Sequence, residues 1–516
     1  MTHALAERAA VLETHIGLVL LHGDRAYKIK KSVRTPYCDF STRERRHDAL
    51  VRELELNRRL APDVYLGLSE IGPVHEPGTA VPTAAGEPLL VMRRMPAARR
   101  LSTLVRDGAP VGAALRRLAR LVAVFHAGAR RSAAISADGD APALTRRWSD
   151  NLAELEPFRG RLLDPATLDE LARLAMGFLA GRGPLFAGRA ADGHVVDGHG
   201  DLLADDIYCL DDGPRVLDCL EFDDRLRHVD VLDDVAFLAM DLERLGRADL
   251  ATLLLDAYAG FSGDPAPASL VHHYVAYRAV VRLKVACLRH DQGDPQAAGE
   301  ARLLALVALR HLREGAVRLV LVGGLPGTGK STLAGRLADR FGATLLATDA
   351  LRAQMPEPGP PHGDDGSPPA ARSPRPEPAR FREGRYTPQR VHRTYEALRE
   401  RAALLLARGE SVVLDASWTD AGERAAAARL AEEHGADLVE LRCTAAPAVA
   451  ATRILSRGPT PSEATPAIAA AMAAAEDPWP RATPIDTEQP VERSVEQAVS
   501  AWHRAVRVAA AARAAG

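Results

Sequence analysis

The stretch RLVLVGGLPGTGKSTLAGRLADRF, residues 318–341, decides the fold of the second half of the chain. Its apolar beginning reads as a buried strand, its glycines as a tight loop, and STLAGRLADRF as a helix. In a strand–loop–helix of this kind, backbone N–H groups and the positive end of the helix attract phosphate oxygens. The stretch therefore predicts an α/β domain that opens with a phosphate-binding loop.

The loop fits the pattern G-x-x-x-x-G-K-[ST], which is typical of nucleotide-binding P-loops. Lys330 is expected to reach the β- and γ-phosphates of ATP, and the hydroxyl of Ser331 to hold Mg²⁺. A glycine-rich turn with a chance lysine is the alternative, and the flanking strand and helix disfavour it. The predicted nucleotide-binding residues of the loop are Gly324, Leu325, Pro326, Gly327, Thr328, Gly329, Lys330, Ser331 and Thr332.

Ionisable residues follow the next two predicted strands. Asp349, in LLATDALR, is predicted to accept the proton of an attacking hydroxyl, while Arg352 orients the acceptor or carries charge. Capping of the next helix is the alternative for Asp349. Asp415 ends the third strand, in SVVLDASW, and is predicted to bind Mg²⁺ through water. Arg453 and Arg457 lie one helical turn apart and are predicted to form a lid over the phosphates, or else a solvated surface.

Strand and helix patterns alternate over the last two hundred or so residues. Strands are predicted in RLVLVGG, ATLLAT, SVVLDAS and ADLVELRC, each followed by a helix, and this alternation is typical of a parallel sheet with crossover helices. The proline- and glycine-rich stretch 355–380 is predicted to be a disordered insertion. Residues 316–516 are therefore predicted to form an α/β P-loop domain.

The motifs GLPGTGKST, TDALR, EGRYTPQRVHRTYEAL and SVVLDASW resemble those of small P-loop kinases. The similar proteins are the zeta-toxin, chloramphenicol phosphotransferase and polynucleotide kinase group, and the likeness covers residues 316–516. It implies that Asp349 acts as a catalytic base. The insertion falls where such enzymes usually contact the acceptor, so the likeness leaves the acceptor open.

The first part of the chain has a different organisation. IGLVLLHGDRAYKIKKSV predicts two strands around a turn, STRERRHDALVRELELNRRLAP a helix, and PLLVMRRMP a further strand. From about residue 101 the pattern is mainly helical, apart from short strands around DGHGDLLADD. These patterns predict one domain over residues 1–312, with a small lobe at about 1–95 and a large lobe at about 96–312.

Acidic residues in VVDGHGDLLADDIYCL and RVLDCLEF have the order that kinase chemistry requires. Asp201 is the predicted base for the acceptor hydroxyl, and Asp218 is a predicted Mg²⁺ ligand. Upstream, Lys28 or Lys30 is predicted to pair with the ATP phosphates, with Glu53 orienting that lysine. An exposed acidic hairpin is the alternative for the whole loop.

These residues resemble the aminoglycoside phosphotransferase family, whose core reads HGD-x₄-N followed by an aspartate. The likeness covers about residues 15–310 and implies a bilobal kinase-like fold that transfers a phosphoryl group to a hydroxyl. The pairing of both domains resembles a bacterial family of fused proteins, through stretches such as LDCLEFDDRLRHVDVLDDVAFLAMDLE. Asp206 stands at the asparagine position. An aspartate can still bind a hard cation, so Asp206 is a predicted metal ligand, and loss of activity is the alternative.

Composition excludes some classes of protein. The 516 residues carry a net charge of −2, which gives no sign of a nucleic-acid or membrane partner. The five cysteines form no CxxC pair, which argues against a zinc site or a disulfide framework. The amino-terminal sequence lacks an apolar signal core, so we expect a cytoplasmic protein. A homo-oligomer is compatible with the sequence.

Together the patterns predict an α+β bilobal protein-kinase-like domain followed by an α/β P-loop domain with a parallel sheet. The expected function is ATP- and Mg²⁺-dependent phosphoryl transfer to a hydroxyl of a small molecule such as a sugar or aminosugar. Two alternatives stay open. In the first, only the P-loop domain is a kinase and the first domain is a binding or regulatory module. In the second, the protein is a nucleotide-dependent switch.

Overall fold

The computed structural model describes residues 10–13, 16–34, 38–72, 86–354, 387–456 and 464–514. The chain divides into two compact units. The first unit comprises Met1–Leu168 and Phe186–His311, and the second comprises Asp169–Leu185 and Leu312–Gly516. The predicted disordered insertion 355–380 lies outside the described residues.

The first unit begins with an antiparallel five-stranded sheet, in the order β1-β2-β3-β5-β4. Its strands are β1 Ala10–Glu13, β2 Gly17–His22, β3 Arg25–Lys30, β4 Tyr65–Ile71 and β5 Glu87–Arg93. The helix α1, Arg43–Asn57, begins at the side-chain cap of Thr42 and buries Leu50 against the sheet residues Ala26 and Leu90. This sheet and helix form the small lobe.

The chain from residue 101 to 314 is mainly helical. Its helices are α2 Leu101–Arg106, α3 Gly112–Gly128, α4 Ala133–Asp138, α5 Ala141–Leu155, α6 Pro165–Gly181, α7 Gly183–Ala191, α8 Val231–Arg244, α9 Ala248–Ser262, α10 Ala268–Asp291 and α11 Ala297–Glu314. Two short antiparallel pairs join β6 Val195–Asp197 with β9 His228–Asp230, and β7 Ile207–Leu210 with β8 Gly213–Val216. Burial of nearly every residue of α8 places this helix in the core beneath the pairs.

The second unit is built on a parallel five-stranded sheet in the order β11-β12-β10-β13-β14. Its strands are β10 Arg318–Gly323, β11 Thr344–Ala347, β12 Val412–Asp415, β13 Asp437–Thr444 and β14 Thr483–Asp486. Its further helices are α12 Lys330–Phe341, α13 Thr348–Gln354, α14 Pro388–Ala407, α15 Ala421–Glu433, α16 Pro447–Ser456, α17 Pro466–Ala474 and α18 Val491–Ala514. Because all the strands of this sheet are parallel, their carboxyl ends lie at one edge of the sheet. In open α/β sheets the binding crevice lies at that edge.

Apolar side chains hold this sheet between its helices. Val320 and Val413 on the central strands are fully buried against Leu337 of α12 and Trp502 of α18. Continuous apolar strands of this kind are typical of parallel sheets that are covered on both faces. The predicted fold class is confirmed: a bilobal α+β kinase-like unit is followed by an α/β P-loop unit with a parallel sheet.

In the part of the chain that the structure describes, the helices are too short or too polar to span a lipid bilayer.

Candidate functional site

The phosphate-binding loop joins β10 to α12. Gly324, Gly327 and Gly329 have φ angles of 138°, 80° and 81°, which residues with a Cβ rarely adopt. A Cβ at position 327 would also lie 2.4 Å from the carbonyl oxygen of Ala450. The loop path therefore requires glycine, and it ends at a helix N-terminus, as anion-binding loops do.

The remaining motif residues fall into three groups. The hydroxyl of Thr328 donates a hydrogen bond to the carbonyl oxygen of Leu325, at 2.8 Å, so these two residues hold the loop itself. Pro326 and Lys330 line a cavity beside the loop. Ser331 and Thr332 are exposed in the first turn of α12.

Asp415, at the end of β12, lies beside the beginning of α12. Burial raises the pKa of its carboxyl, while Lys330 and a hydrogen bond from Ser331 act in the opposite direction. Its Oδ1 atom is buried, and no hydrogen bond to it is found among the described residues. A buried carboxylate oxygen without a partner, next to a hydroxyl, is a donor set that suits Mg²⁺. Ser331 and Asp415 thus fit the metal that a P-loop nucleotide brings.

The cavity has a volume of about 210 Å³. Asp349 and Arg352, both on α13, line it together with Lys330 and Asp415. Arg352 Nη1 donates to Asp349 Oδ1 at 2.7 Å. The structure therefore brings four of the predicted site residues of the second unit to one cavity.

The predicted arginine lid is described only in part. Arg453 Nη2 donates to the carbonyl oxygen of Thr487 at 2.7 Å, and the hydroxyl of Thr487 donates to the carbonyl oxygen of Thr328, also at 2.7 Å. Arg453 is thus one residue removed from the loop, and it is not among the described residues that line the cavity. Arg457 lies outside the described residues. The lid stays a prediction.

In the first unit, two lysines of β3 share one carboxylate of α1. Lys28 Nζ lies 2.7 Å from Glu53 Oε1, and Lys30 Nζ lies 2.8 Å from Glu53 Oε2. Lys30 also pairs with Glu221 at 2.5 Å, and Lys28 with Asp218 at 2.7 Å. The side chain of Lys30 is fully buried, whereas Lys28 keeps 15% of its side chain exposed. Burial lowers the pKa of Lys28, but the surrounding carboxylates outweigh it and hold that pKa well above its usual value.

Asp218 lies in a strained turn that residues of the small lobe hold in place. Its φ angle is 61°, a left-handed conformation that is uncommon without glycine. Its N–H donates to the hydroxyl of Tyr65 at 3.1 Å, and the N–H of Cys219 donates to Oδ1 of Asn57 at 2.8 Å. Lys28 keeps the pKa of Asp218 below its usual value.

Three predicted carboxylates of the first unit lie close enough to repel each other. Burial raises the pKa of Asp201 to about 6, Arg282 opposes that rise, and Asp218 adds to it. Burial also raises the pKa of Asp206 well above its usual value, with further contributions from Asp218 and Asp201. Such a cluster of carboxylate oxygens fits a hard divalent cation.

The loop that contains Asp201 is held by a residue that no sequence motif indicated. Asp234, fully buried in the first turn of α8, accepts the N–H of His199 at 2.6 Å and that of Gly200 at 2.9 Å. His126 Nε2 lies 3.1 Å from the same carboxylate. Nearby, Asp241 accepts the N–H of Ala204 at 2.9 Å. Two carboxylates on one helix thus fix the backbone on either side of Asp201.

Replacing Asp206 with asparagine should stabilise the metal-free first unit at pH 7. Because the folded state raises the pKa of Asp206, its charged form opposes folding at any pH above the ordinary aspartate value of about 3.9. Asparagine keeps the shape of the side chain and removes its charge. Each unit by which folding raises the pKa of Asp206 corresponds to about 1.4 kcal/mol of folding free energy that the asparagine recovers.

Urea unfolding is measured in the presence of EDTA, with hydrogen exchange of first-unit peptides as the readout. At pH 7 the Asp206→Asn protein should have the higher urea midpoint. The difference should shrink as pH falls towards 3, below both pKa values, where the wild-type carboxyl is largely protonated in both states. Equal midpoints at pH 7 would contradict the crowding of carboxylates around Asp206.

The geometry and the comparisons together define the class of protein. A family model described as "AAA domain" matches residues 319–478. The second unit is therefore a P-loop domain of the α/β class.

The chain is 45% identical over 496 residues to Uncharacterized protein Rv2004c of Mycobacterium tuberculosis, and the match covers 96% of each chain. The same figures hold for Uncharacterized protein Mb2027c of Mycobacterium bovis. The chain belongs to the family of these mycobacterial proteins.

Solved structures of kinases are similar to one unit or the other. A choline/ethanolamine kinase family protein from Mesorhizobium loti is 16% identical and covers 60% of this chain and 92% of its own, with a TM-score of 0.38. Aminoglycoside 2′-phosphotransferase-IIIa is 18% identical, and the match covers 60% of this chain and 94% of that protein, with a TM-score of 0.35. A gluconokinase from Sinorhizobium meliloti is 21% identical, and the match covers 37% of this chain and 94% of that protein, with a TM-score of 0.26.

Proposed function

We propose that the second unit transfers the γ-phosphoryl group of ATP to a hydroxyl of a small molecule. One observation carries the proposal: Asp349 lines the same cavity as Lys330 and Asp415. A P-loop switch that only hydrolyses ATP needs no acceptor cavity with a carboxylate at the end of the second strand. A kinase needs that carboxylate to take a proton from its acceptor.

Each residue of the cavity then has a task. Lys330 and the loop backbone bind the β- and γ-phosphates. Ser331 and Asp415 would hold Mg²⁺, which supplies neutralising charge on the phosphate oxygens. The acceptor oxygen forms a bond to the γ-phosphorus while the bond from that phosphorus to the β,γ-bridging oxygen breaks, and ADP leaves. Asp349 accepts the proton of the acceptor hydroxyl, and Arg352 holds the carboxylate of Asp349 in place.

The first unit is the second proposed ATP site. The Lys28–Glu53 pair supports this role, because such a pair orients a lysine towards phosphates in kinases. Of the two lysines, Lys28 is the better placed, since Lys30 is buried against Glu221. Asp206 and Asp218 would hold Mg²⁺, and Asp201, with a pKa of about 6, would accept a proton near neutral pH. The alternative, a binding or regulatory module, rests on Asp206 at the asparagine position.

A comparison of two variants of the full chain with the wild type shows which unit is active. The wild type, Lys330→Ala and Asp201→Ala proteins are incubated with ATP, Mg²⁺ and a panel of sugars, aminosugars and nucleosides, and the products are identified by phosphorus NMR. We expect Lys330→Ala to abolish at least one phosphorylated product, because the lysine charge at the phosphates is lost. If each variant loses a different product, both units are kinases. If Lys330→Ala retains every product of the wild type, the proposal for the second unit is wrong.

A further inference from the structure

The wall of the cavity carries two carboxylates that phosphoryl transfer itself does not require. These are Asp420 and Asp477, which we call the acidic wall. Asp420 Oδ1 accepts the N–H of Glu423 at 3.0 Å, and Asp477 Oδ2 accepts the N–H of Ala421 at 2.9 Å. Each thus uses one oxygen to cap the N-terminus of α15. Among the described residues, no hydrogen bond to the second oxygen of either side chain is found.

The cations of the cavity are already engaged elsewhere. Four acids line it, namely the acidic wall, Asp349 and Asp415, against two bases, Lys330 and Arg352. Lys330 is needed at the phosphates, and Arg352 is bound to Asp349. Behind the wall, the buried guanidinium of Arg424 donates to the carbonyl oxygens of Trp418 and Pro478.

The charge balance determines which acceptors the cavity tolerates. ATP adds more negative charge to a space in which acids already outnumber bases. A carboxylate or phosphate group on the acceptor would face the acidic wall without a described cation to meet it. An ammonium group would find two free carboxylate oxygens there. Asp415, with its buried and unpartnered Oδ1, independently marks the same cavity as a ligand site.

The size of the cavity and its apolar lining narrow the class of acceptor further. The cavity, at about 210 Å³, is smaller than the roughly 300–1,000 Å³ of pockets that hold drug-sized ligands. Val391, Ala464 and Met472 line it beside the charged groups. A space of this kind suits a compact molecule with both apolar C–H faces and polar groups.

We propose that the acceptor of the second unit is a small hydroxyl compound that carries an ammonium group, which the acidic wall of Asp420 and Asp477 recognises. This inference rests on the proposed kinase function of the second unit and specifies its substrate class. Lys330 and Asp349 act on the phosphate and the hydroxyl, and the acidic wall binds the amine of the same molecule.

The test uses sets of acceptors that differ in charge on similar skeletons. One set is glucosamine, N-acetylglucosamine, glucose and gluconate, and the other is ethanolamine, ethylene glycol and glycolate. Initial rates of phosphorylation are measured with the full-length protein, and the rates of Lys330→Ala are subtracted as the contribution of the first unit. We expect kcat/KM for the ammonium member to exceed that of its neutral and anionic counterparts by at least roughly tenfold in one set.

Two isosteric variants test the wall itself. Asp420→Asn and Asp477→Asn keep an oxygen for the cap of α15, so the fold is preserved. Each should lower kcat/KM for the ammonium acceptor roughly tenfold and change that for the neutral one less than threefold, with unchanged affinity for ADP. A uniform loss over all acceptors would indicate a structural role only and would overturn the inference.

The failures of the two proposals can be told apart. If no member of either set is phosphorylated above the Lys330→Ala background, both the inference and the kinase function for these acceptors fall. If the kcat/KM values of the neutral or anionic members equal those of the ammonium members, the kinase function stands and the inference is wrong.

Discussion

In the Asp349→Asn protein, phosphoryl transfer by the second unit should fall roughly 10²–10⁴-fold in kcat. Asparagine has nearly the same shape, and its amide oxygen can still accept the hydrogen bond from Arg352, but it cannot take the proton of the acceptor hydroxyl. The affinity for ADP, measured by titration calorimetry, should stay unchanged, because Lys330 and the loop are untouched. The large loss in kcat therefore reports proton transfer rather than nucleotide binding.

The matched control is Asp339→Asn, an exposed aspartate on α12 of the same unit, which should keep the wild-type rate. Arg352→Gln breaks the same ion pair but leaves the carboxylate in place, so its kcat should fall less than that of Asp349→Asn. If Asp349→Asn keeps more than about a tenth of the wild-type kcat, Asp349 is not the base.

The Asp234→Asn substitution should destabilise the first unit by about 3–5 kcal/mol, the range for removing one partner from a buried charged network. Both oxygens of Asp234 accept backbone N–H groups, of His199 and Gly200. An asparagine would point its own NH₂ group at one of these donors. Hydrogen exchange of peptides from α8 should rise sharply in the variant, while exchange of β10 and β12 in the second unit should not change.

The pH dependence of this effect has a definite sign. Burial raises the pKa of Asp234, but the hydrogen bond and charge of His126, together with the charge and backbone N–H of His199, outweigh burial and keep that pKa below its usual value. Its carboxylate therefore stabilises the fold above the ordinary aspartate pKa of about 3.9, and the contribution is lost progressively as pH falls further. The penalty of Asp234→Asn should be complete at pH 7 and shrink below about pH 4.

An exposed aspartate of the same unit provides the comparison for Asp234. Asp249→Asn, on the surface of α9, should leave exchange in α8 unchanged. Unaltered protection of α8 in Asp234→Asn at pH 7 would show that this carboxylate does not hold the loop that contains Asp201.

Local patterns sufficed to predict four of the five strands of the second unit. The P-loop, its strand and its helix are contiguous in sequence, and the aspartates after β11 and β12 follow from parallel topology. The strand β14, Thr483–Asp486, was not predicted, because four residues that include a proline carry no strand pattern. Nothing local indicates that Asp169–Leu185, far upstream, belongs to the second unit. Its position there depends on contacts such as that of Arg182 with the carbonyl oxygen of His434.

In the first unit the sequence indicated candidate site residues, but not the residues that hold them in position. Asp234 lies 35 residues after His199, and its carboxylate reaches the loop only through the packing of α8. Asn57 holds Cys219 across 162 residues. The choice between Lys28 and Lys30 also depends on tertiary structure, because Glu53 pairs with both, and the two lysines differ only in burial and in their second carboxylate partner. Side chains that act through long-range contacts leave no spacing signal in a single sequence.

The phosphate balance of the wild-type protein tests the central claim most directly. Phosphorus NMR during turnover of ATP with Mg²⁺ and an acceptor such as glucosamine or ethanolamine gives the amounts of ADP, phosphomonoester and inorganic phosphate together. We expect one phosphomonoester for each ADP, with little inorganic phosphate, and loss of this product in Lys330→Ala. Inorganic phosphate equal to ADP with every acceptor would contradict phosphoryl transfer and favour a nucleotide-dependent switch.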